Sequence, residues 1–444
     1  MAFIMDRQTF ADLEIFEVYG VKNNVFKLFD RVISQGGREK LLEMFNNPLT
    51  DREKIHERQE VISYFHREKL FFPIDSISLD FIESYLLMSD KPTRLSRLNA
   101  WHKAIQFWLQ PINENYLIQR GIEYVIELLQ KLYAYVAENA GQNLPHLLEQ
   151  HFNFITDSIM KTELRKVIGF NVKRKFKPMD RERFDYFFRY EKYDRLKNIL
   201  QLLYRIDAYQ AIAHTMAEHG LIFPEIVEHK EIEINGLVHP YVKDAVANNI
   251  LLSEKGNMFF LTGANMSGKS TFLKAFGLAV YLAHLGFPVA AASMRTGVFN
   301  GLFSTINIAD NLNKGYSHFY TEVLRVKNVA EEINRTGSLV VIFDELFRGT
   351  NVKDAYDASL SIISAFAKVP GSVFLISTHI MEVADRLSSI ANIQFGYFHT
   401  TIKEKTPIYS YCLHEGVTAE RLGMLIIENE RIIEIINARS QGSD

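Results

Sequence analysis

The sequence predicts a two-part chain: an all-α region over residues 1–225, then an α/β domain with a mostly parallel sheet over residues 226–444. Three observations carry this. Before Pro224, apolar residues recur every three or four positions, the period of a buried helix face, as in Val25, Leu28, Phe29 and Val32. After it the texture changes to short β-like runs separated by helical segments, the pattern of a sheet covered by helices. Third, Leu261–Thr271, LTGANMSGKST, sets a glycine-rich turn between an apolar run and an apolar helix.

Taken in order, the first half opens on helices punctuated by Asn47-Pro48-Leu49-Thr50-Asp51, where proline biases Asn47 away from helix. Thr50, with Glu53 three positions on, predicts the cap of a helix running through Ile55, Val61 and Phe65. Long amphipathic helices follow from Trp101 to Leu148, broken near Pro111 and around Asn139–Pro145, and Leu202–Ala217 predicts another that ends at Gly220. Between them Lys161–Arg183 holds nine basic residues against three acids, a local charge of +6, with Lys166, Lys173, Arg174, Lys175 and Lys177 at its centre. Such a cluster fits either phosphate contact, which salt would weaken, or a solvated helical surface.

Composition bounds the rest. With 444 residues, 47% of them hydrophobic and 23% charged, the chain can bury several globular cores. A formal charge of −3 excludes nucleic-acid binding by bulk basicity, leaving only local patches. The one cysteine, Cys412, excludes an intrachain disulfide framework and a cysteine metal cluster. The amino terminus has acids early and no leader pattern, and no window approaches 18 uncharged apolar residues. A cytoplasmic protein without membrane association is expected.

In the second half the predicted strands are Glu231–Leu237, Asn257–Leu261, Ser338–Phe343, Ser372–Ser377, and the antiparallel pair Ile393–Thr400 and Ile408–Leu413. Gly263, Gly268, Lys269 and Ser270 satisfy G-x-x-x-x-G-K-[ST]. A chain turning over glycines into a helix start aims backbone N–H groups at one anion, and the helix dipole adds to the attraction. Gly263, Ala264, Asn265, Met266, Ser267, Gly268, Lys269, Ser270 and Thr271 are therefore the candidate nucleotide-binding residues. Lys269 would sit between the outer phosphates, and the Ser270 hydroxyl would hold Mg²⁺. Leu339–Phe343 is an apolar run that ends in Asp344-Glu345, placing carboxylates at a strand tip, where α/β sheets bind ligands. Asp344 would order Mg²⁺ and Glu345 would polarise the attacking water. Ser377-Thr378-His379 closes the next apolar run; His379 either reaches the γ-phosphate or the water, or caps the following helix.

These motifs together resemble the MutS family of DNA mismatch-repair proteins, in the ABC-type ATPase class. TGANMSGKST at Thr262–Thr271 resembles that family's TGPNMGGKST loop, VIFDELFRGTN its DE-x-GRGT segment, and Ser377–His379 its histidine switch. Gly301–Val326 is similar to the region ending in S-x-F-x-x-E, which acts like an ABC signature. The resemblance implies that Ser317 faces the γ-phosphate of a partner subunit, so that ATP sites are completed in trans across a homodimer. It also implies that His239, with Pro240, and Asn249 line the adenine side, and that Tyr409–Arg439 serves in pairing. Gly37–Phe65 and Leu202–Gly220 resemble more weakly the start of the family's core domain and the end of its lever.

The expectation is a P-loop ATPase, with ATP and Mg²⁺ as ligands, that binds double-stranded or branched DNA in repair or recombination. A nucleotide-switched protein that binds a protein partner is the alternative. Only some 35 residues precede Gly37, which predicts a short member without the mismatch-reading domain, its F-x-E wedge, or the connector. Ala264 and Ser267 replace Pro and Gly of the family loop, and Leu346-Phe347 replaces a small residue and glycine before Arg348.

Overall fold

The computed structural model describes residues 2–17, 23–68, 75–88, 112–139, 143–172, 176, 178–306, 318–347, 350–378, 381–403, 406–418 and 427–440. They form two compact units. One comprises Leu28–Asn46 and Glu57–Glu218, the other Met1–Lys27, Asn47–His56 and His219–Asp444. An all-α region is followed by an α/β region, as the sequence expects.

Among its described residues the regular structure of the first unit is all helix, with Gln35–Asn46, Ser76–Leu86, Ile112–Asn139, His146–Met160, Pro178–Tyr186 and Tyr193–His219 as its principal helices. Buried Asp207 accepts hydrogen bonds from the backbone of Ile33 (3.0 Å) and Ser34 (2.9 Å) and from Ser34 Oγ (2.6 Å), which fixes the entry of Gln35–Asn46. Tyr193–His219 stops at Gly220, whose φ of +61° is the left-handed conformation glycine adopts without a Cβ clash. At the start of the helix Arg52–Glu68, Asp51 Oδ1 accepts from the amides of Glu53 (3.0 Å) and Lys54 (3.3 Å). A carboxylate is favoured at the positive end of a helix.

The second unit contains two sheets. The larger has strand order β10-β9-β4-β8-β7-β6, with β4 Met258–Thr262, β6 Leu302–Thr305, β7 Val340–Phe343, β8 Val373–Ser377, β9 Ile393–Lys403 and β10 Thr406–Glu415. All its pairings are parallel except β9–β10. Strands β4, β7 and β8 are buried at every residue, as expected for continuous apolar runs covered on both faces. Phe343, Phe366 and Phe374 stack in this core with ring centroids 5.0–6.2 Å apart, each contributing roughly 1.5–3 kcal/mol by burial. Register places Leu261 beside Ser377, and Thr305 beside Phe343, so the carboxyl ends of the strands form one edge.

The smaller sheet has the order β1-β5-β2-β3, from β1 Glu225–Val227, β2 Ile232–Leu237, β3 Asn248–Leu252 and β5 Ser293–Gly297. Only β2 is among the predicted strands. The others are short and partly polar, and acquire strand conformation from their partners. Among the described residues no helix is long and apolar enough to cross a membrane.

Fully buried His284 lies on the helix Lys269–Leu285. In the neutral Nδ1–H tautomer it donates to Val280 O (2.8 Å), and its Nε2 accepts from the Phe299 amide (2.9 Å). Burial pulls its pKa from the ordinary 6.5 to about 4. The unfolded chain therefore binds this proton first. The contribution to stability is complete above pH 6.5 and is lost as pH falls towards 4, by about 3 kcal/mol. Urea unfolding of wild type and His284→Gln at about pH 7 and pH 4.5 measures it. The stability gap between the two should narrow at the lower pH, and a gap independent of pH would refute the assignment.

Candidate active site

The carboxyl edge of the larger sheet gathers most of the motif residues. The loop after β4 turns at Gly263 (φ +141°) and Gly268 (φ +105°), backbone conformations that disfavour any side chain. A Cβ on Gly268 would lie 3.2 Å from the Tyr411 ring, and one on Gly263 3.0 Å from Ser267 Oγ. Met266 takes φ +68° with its side chain exposed. The helix Lys269–Leu285 starts directly after Gly268.

Lys269 is only 5% exposed. Its Nζ donates to the carbonyls of Gly263 (2.8 Å) and Ala264 (3.0 Å). Burial lowers its pKa, against the opposing fields of Asp344 and Glu345. Ser270 Oγ donates to Asp344 Oδ2 at 2.5 Å, and Ser377 Oγ donates to Asp344 Oδ1. Asp344 is also held through its amide, which donates to Thr305 O at 2.8 Å. The Glu345 amide donates to both Ser377 O and Ser377 Oγ at 3.1 Å.

Glu345 and Phe347 take φ of +57° and +65°. Phe347 stands where the resembled segment has glycine, and its buried ring packs 5.6 Å from Phe319. Tertiary packing thus holds a non-glycine residue in a conformation it disfavours, a feature that recurs at functional turns.

A cavity of about 760 Å³ opens beside the loop, lined by His239, Asn265, Met266, Gly268, Lys269, Ser270, Thr271 and Glu345. Its remaining wall is mostly apolar, with Leu237, Val238, Val242, Phe272, Phe398 and Tyr411. Burial lowers the pKa of His239, opposed by Glu14. Asn249 does not line this space; exposed on β3, it accepts from the Gly236 amide at 2.8 Å. Its neighbour Asn248 lines the cavity instead, sharing the buried strand face with Ile250 and Leu252, a placement that the sequence Asn-Asn-Ile-Leu-Leu does not announce. Asn248 fastens the β9–β10 hairpin to this wall, donating to Tyr411 O (3.0 Å) and accepting from the Leu413 amide (2.7 Å). Tyr411 and Ser377 were missed as site residues. For Ser377 the signal was its place in the strand-end triplet Ser377–His379, whereas the position of Tyr411 depends on hairpin pairing.

The residues fit a magnesium–nucleotide. A buried ammonium, glycine-lined backbone and Ser267 Oγ, which is buried with no hydrogen-bond partner among the described residues, form a cradle for an anion. Ser270 and Asp344 converge as hard oxygen donors, and Mg²⁺ needs few protein ligands because it retains water. Among the described residues no group of three or more His, Cys, Asp or Glu could hold a metal. His379 and Ser317 lie outside the described residues, as do Lys173, Arg174, Lys175 and Lys177. Lys166 is exposed in the other unit, 3.9 Å from Glu163.

Comparison with known proteins agrees with this geometry. The sequence profile described as MutS domain V matches residues 259–442. The DNA mismatch repair protein MutS of Persephonella marina is 28% identical over 354 residues, covering 75% of this chain and 39% of that protein. Its Bacillus subtilis counterpart is 30% identical over 257 residues, 54% of this chain and 30% of that protein. That of Anaplasma phagocytophilum is 30% identical over 222 residues, 49% and 27% respectively. The chain therefore spans well under half the length of these curated relatives. From Phe259 to the end of the matched region, the chain carries a domain V of the MutS family.

Proposed function

We propose that the protein is a MutS-type ATPase that hydrolyses ATP at sites shared across a homodimer and couples this to DNA binding, in repair or recombination. The observation that carries this is buried Lys269 beside the Ser270–Asp344 pair at the carboxyl edge of the sheet. Residues 226–444 act as the ATPase domain, joined in one compact unit by Met1–Lys27 and Asn47–His56, and the rest of residues 1–225 act as the helical core and lever.

In this reading the amides of residues 263–271 and the Lys269 ammonium hold the outer phosphates. Ser270 and Asp344 would hold Mg²⁺, which when bound would supply positive charge against that developing on the phosphates. Glu345 orients the attacking water and accepts its proton, with His379 as a second polar contact. The apolar wall with His239 and Asn248 receives the adenine. Ser317 completes the partner's site. The catalytic contribution is positional and electrostatic. Supporting the homodimer, Ile432, Ile433, Ile435 and Ile436 stand exposed on the C-terminal helix Ile432–Ser440, an apolar face that a second copy would cover.

DNA contact is assigned to Lys166, Lys173, Arg174, Lys175 and Lys177. Binding of labelled duplex and branched DNA across a salt series, with and without ATP, tests it. Four or five phosphate contacts give a log–log salt slope of about −3 to −5. A second reading, a nucleotide-switched protein that binds a protein partner, is favoured by the mixed charge around Lys166. That residue lines a cavity of about 620 Å³ together with Glu163, Asp180, Arg183 and Glu191. Absence of salt-dependent DNA binding in every nucleotide state would select this second reading.

A further inference from the structure

Residues 2–16 pack along β6, the edge strand of the larger sheet. Ile4 forms a parallel bridge with Gly301, its amide donating to Asn300 O (2.9 Å) and its carbonyl accepting from Leu302 (3.0 Å). Further along, this strap turns two polar side chains onto the carboxyl end of β6 and a third onto a neighbouring helix. Thr9 Oγ1 accepts from the Ser304 amide (2.9 Å), and Asp12 Oδ2 accepts from Ser304 Oγ and the Ile306 amide (both 2.8 Å). Asp6 pairs with Arg325 of the helix His318–Thr336, through Nη1 and through Nη2 at 3.2 Å.

Arg325 is largely buried and joins the strap to the reactive edge. Its Nη2 donates to Ser304 O (2.8 Å) and its Nε to Thr305 Oγ1 (3.1 Å). The carbonyl of Thr305 is the acceptor for the Asp344 amide at 2.8 Å. Arg325 also lines the same small space as Thr305, Glu322, Asp344 and Glu345. Burial pushes the Asp6 carboxyl up, but the hydrogen bonds and charge of Arg325, with help from Thr9, bring it below its ordinary value. Asp6 therefore meets Arg325 as a carboxylate.

We propose that the amino-terminal strap is a positioning element of the reactive edge: Asp6 holds Arg325 on the end of β6 and away from Asp344 and Glu345, and through Thr305 this sets the two carboxylates. The proposal rests on the ATPase reading above for its kinetic consequence, though not for its structural one. Asp6 is a positioning residue, since no contact of its own reaches the cavity beside the loop. Without it, a buried guanidinium loses its anion, and the carboxylates left in the small space it lines are Glu322 and the two groups needed for Mg²⁺ and water, Asp344 and Glu345.

The test compares wild type, Asp6→Asn, Asp6→Glu and Thr305→Val, the last removing the hydroxyl that Arg325 holds while keeping its volume. Two readouts are taken: steady-state ATP hydrolysis, and amide exchange at Asp344 with Val340, at the start of β7, as an internal reference. Asp6→Asn should lower kcat about tenfold with KM for ATP within about twofold, because a misplaced group costs rate more than ground-state binding. Asp6→Glu should restore most of the rate, and Thr305→Val should move kcat in the same direction as Asp6→Asn. Exchange at Asp344 should accelerate in Asp6→Asn while Val340 stays protected. An unchanged kcat in Asp6→Asn and Thr305→Val, in protein whose Lys269→Ala variant is inactive, overturns the inference and leaves the ATPase reading standing. If wild type hydrolyses no ATP, that reading falls, and the exchange arm decides alone: unchanged protection of Asp344 overturns the positioning role.

Discussion

Replacing Lys269 with alanine is expected to lower ATP hydrolysis by about two to three orders of magnitude, the usual cost of removing one preorganised electrostatic group from a water-poor site. The expectation follows from the environment of the side chain. Its ammonium is buried, hydrogen-bonded to the loop carbonyls of Gly263 and Ala264, and destabilised by burial. A cation so placed gains most when a polyanion arrives, and it gains more as charge builds on the transferred phosphoryl group. Single-turnover hydrolysis with separately measured nucleotide affinity checks it. Full activity in folded Lys269→Ala protein would remove the site assignment altogether. Retained binding with lost turnover would place the role of Lys269 in the transition state.

The second large effect is expected in the helical unit. Arg189 and Asp185 form an ion pair at 2.6 Å, with side chains only 4% and 6% exposed. Tyr85 Oη donates to the same carboxylate at 2.9 Å. The pair sits where Pro178–Tyr186 passes into a π-helical turn, Phe187–Glu191. Burial alone would lower the pKa of Arg189, but its contacts with Asp185 raise it above the ordinary value. Arg189→Met strands a buried carboxylate and should destabilise this unit by about 3–5 kcal/mol, whereas Asp185→Leu with Arg189→Met should recover most of the loss. Denaturant unfolding followed in the helical circular-dichroism band checks both. A double variant no better than the single one would show that the ion pair itself, and not the unpaired charge, carries the stability.

Much of the candidate site was legible before any coordinates. The runs MFFL, VVIF and VFLIS are apolar without alternation, so each reads as a strand buried on both faces, and the polar residues that follow must lie at strand ends. Gly263, Gly268, Lys269 and Ser270 fall within eight consecutive positions, and their mutual placement is largely a local property of one turn. The same holds for the long helices, whose period is carried by each segment alone.

Other features needed the tertiary structure. Asp6 and Arg325 lie 319 positions apart and meet only because the strap lies along β6. Tyr411 enters the cavity wall through an irregular register between β9 and β10 that no turn motif announces. Strand β5, SMRTG, has too little apolar alternation to identify it, and it is a strand because β1 and β2 pair with it. By itself the sequence determined the local conformations, through residue period and turn chemistry: which segments are helices, which apolar runs are central strands, and where the glycine-rich loop turns. The tertiary structure alone decided which strand edges, straps and hairpins meet around that loop, because such pairings depend on the energy of distant contacts forming together.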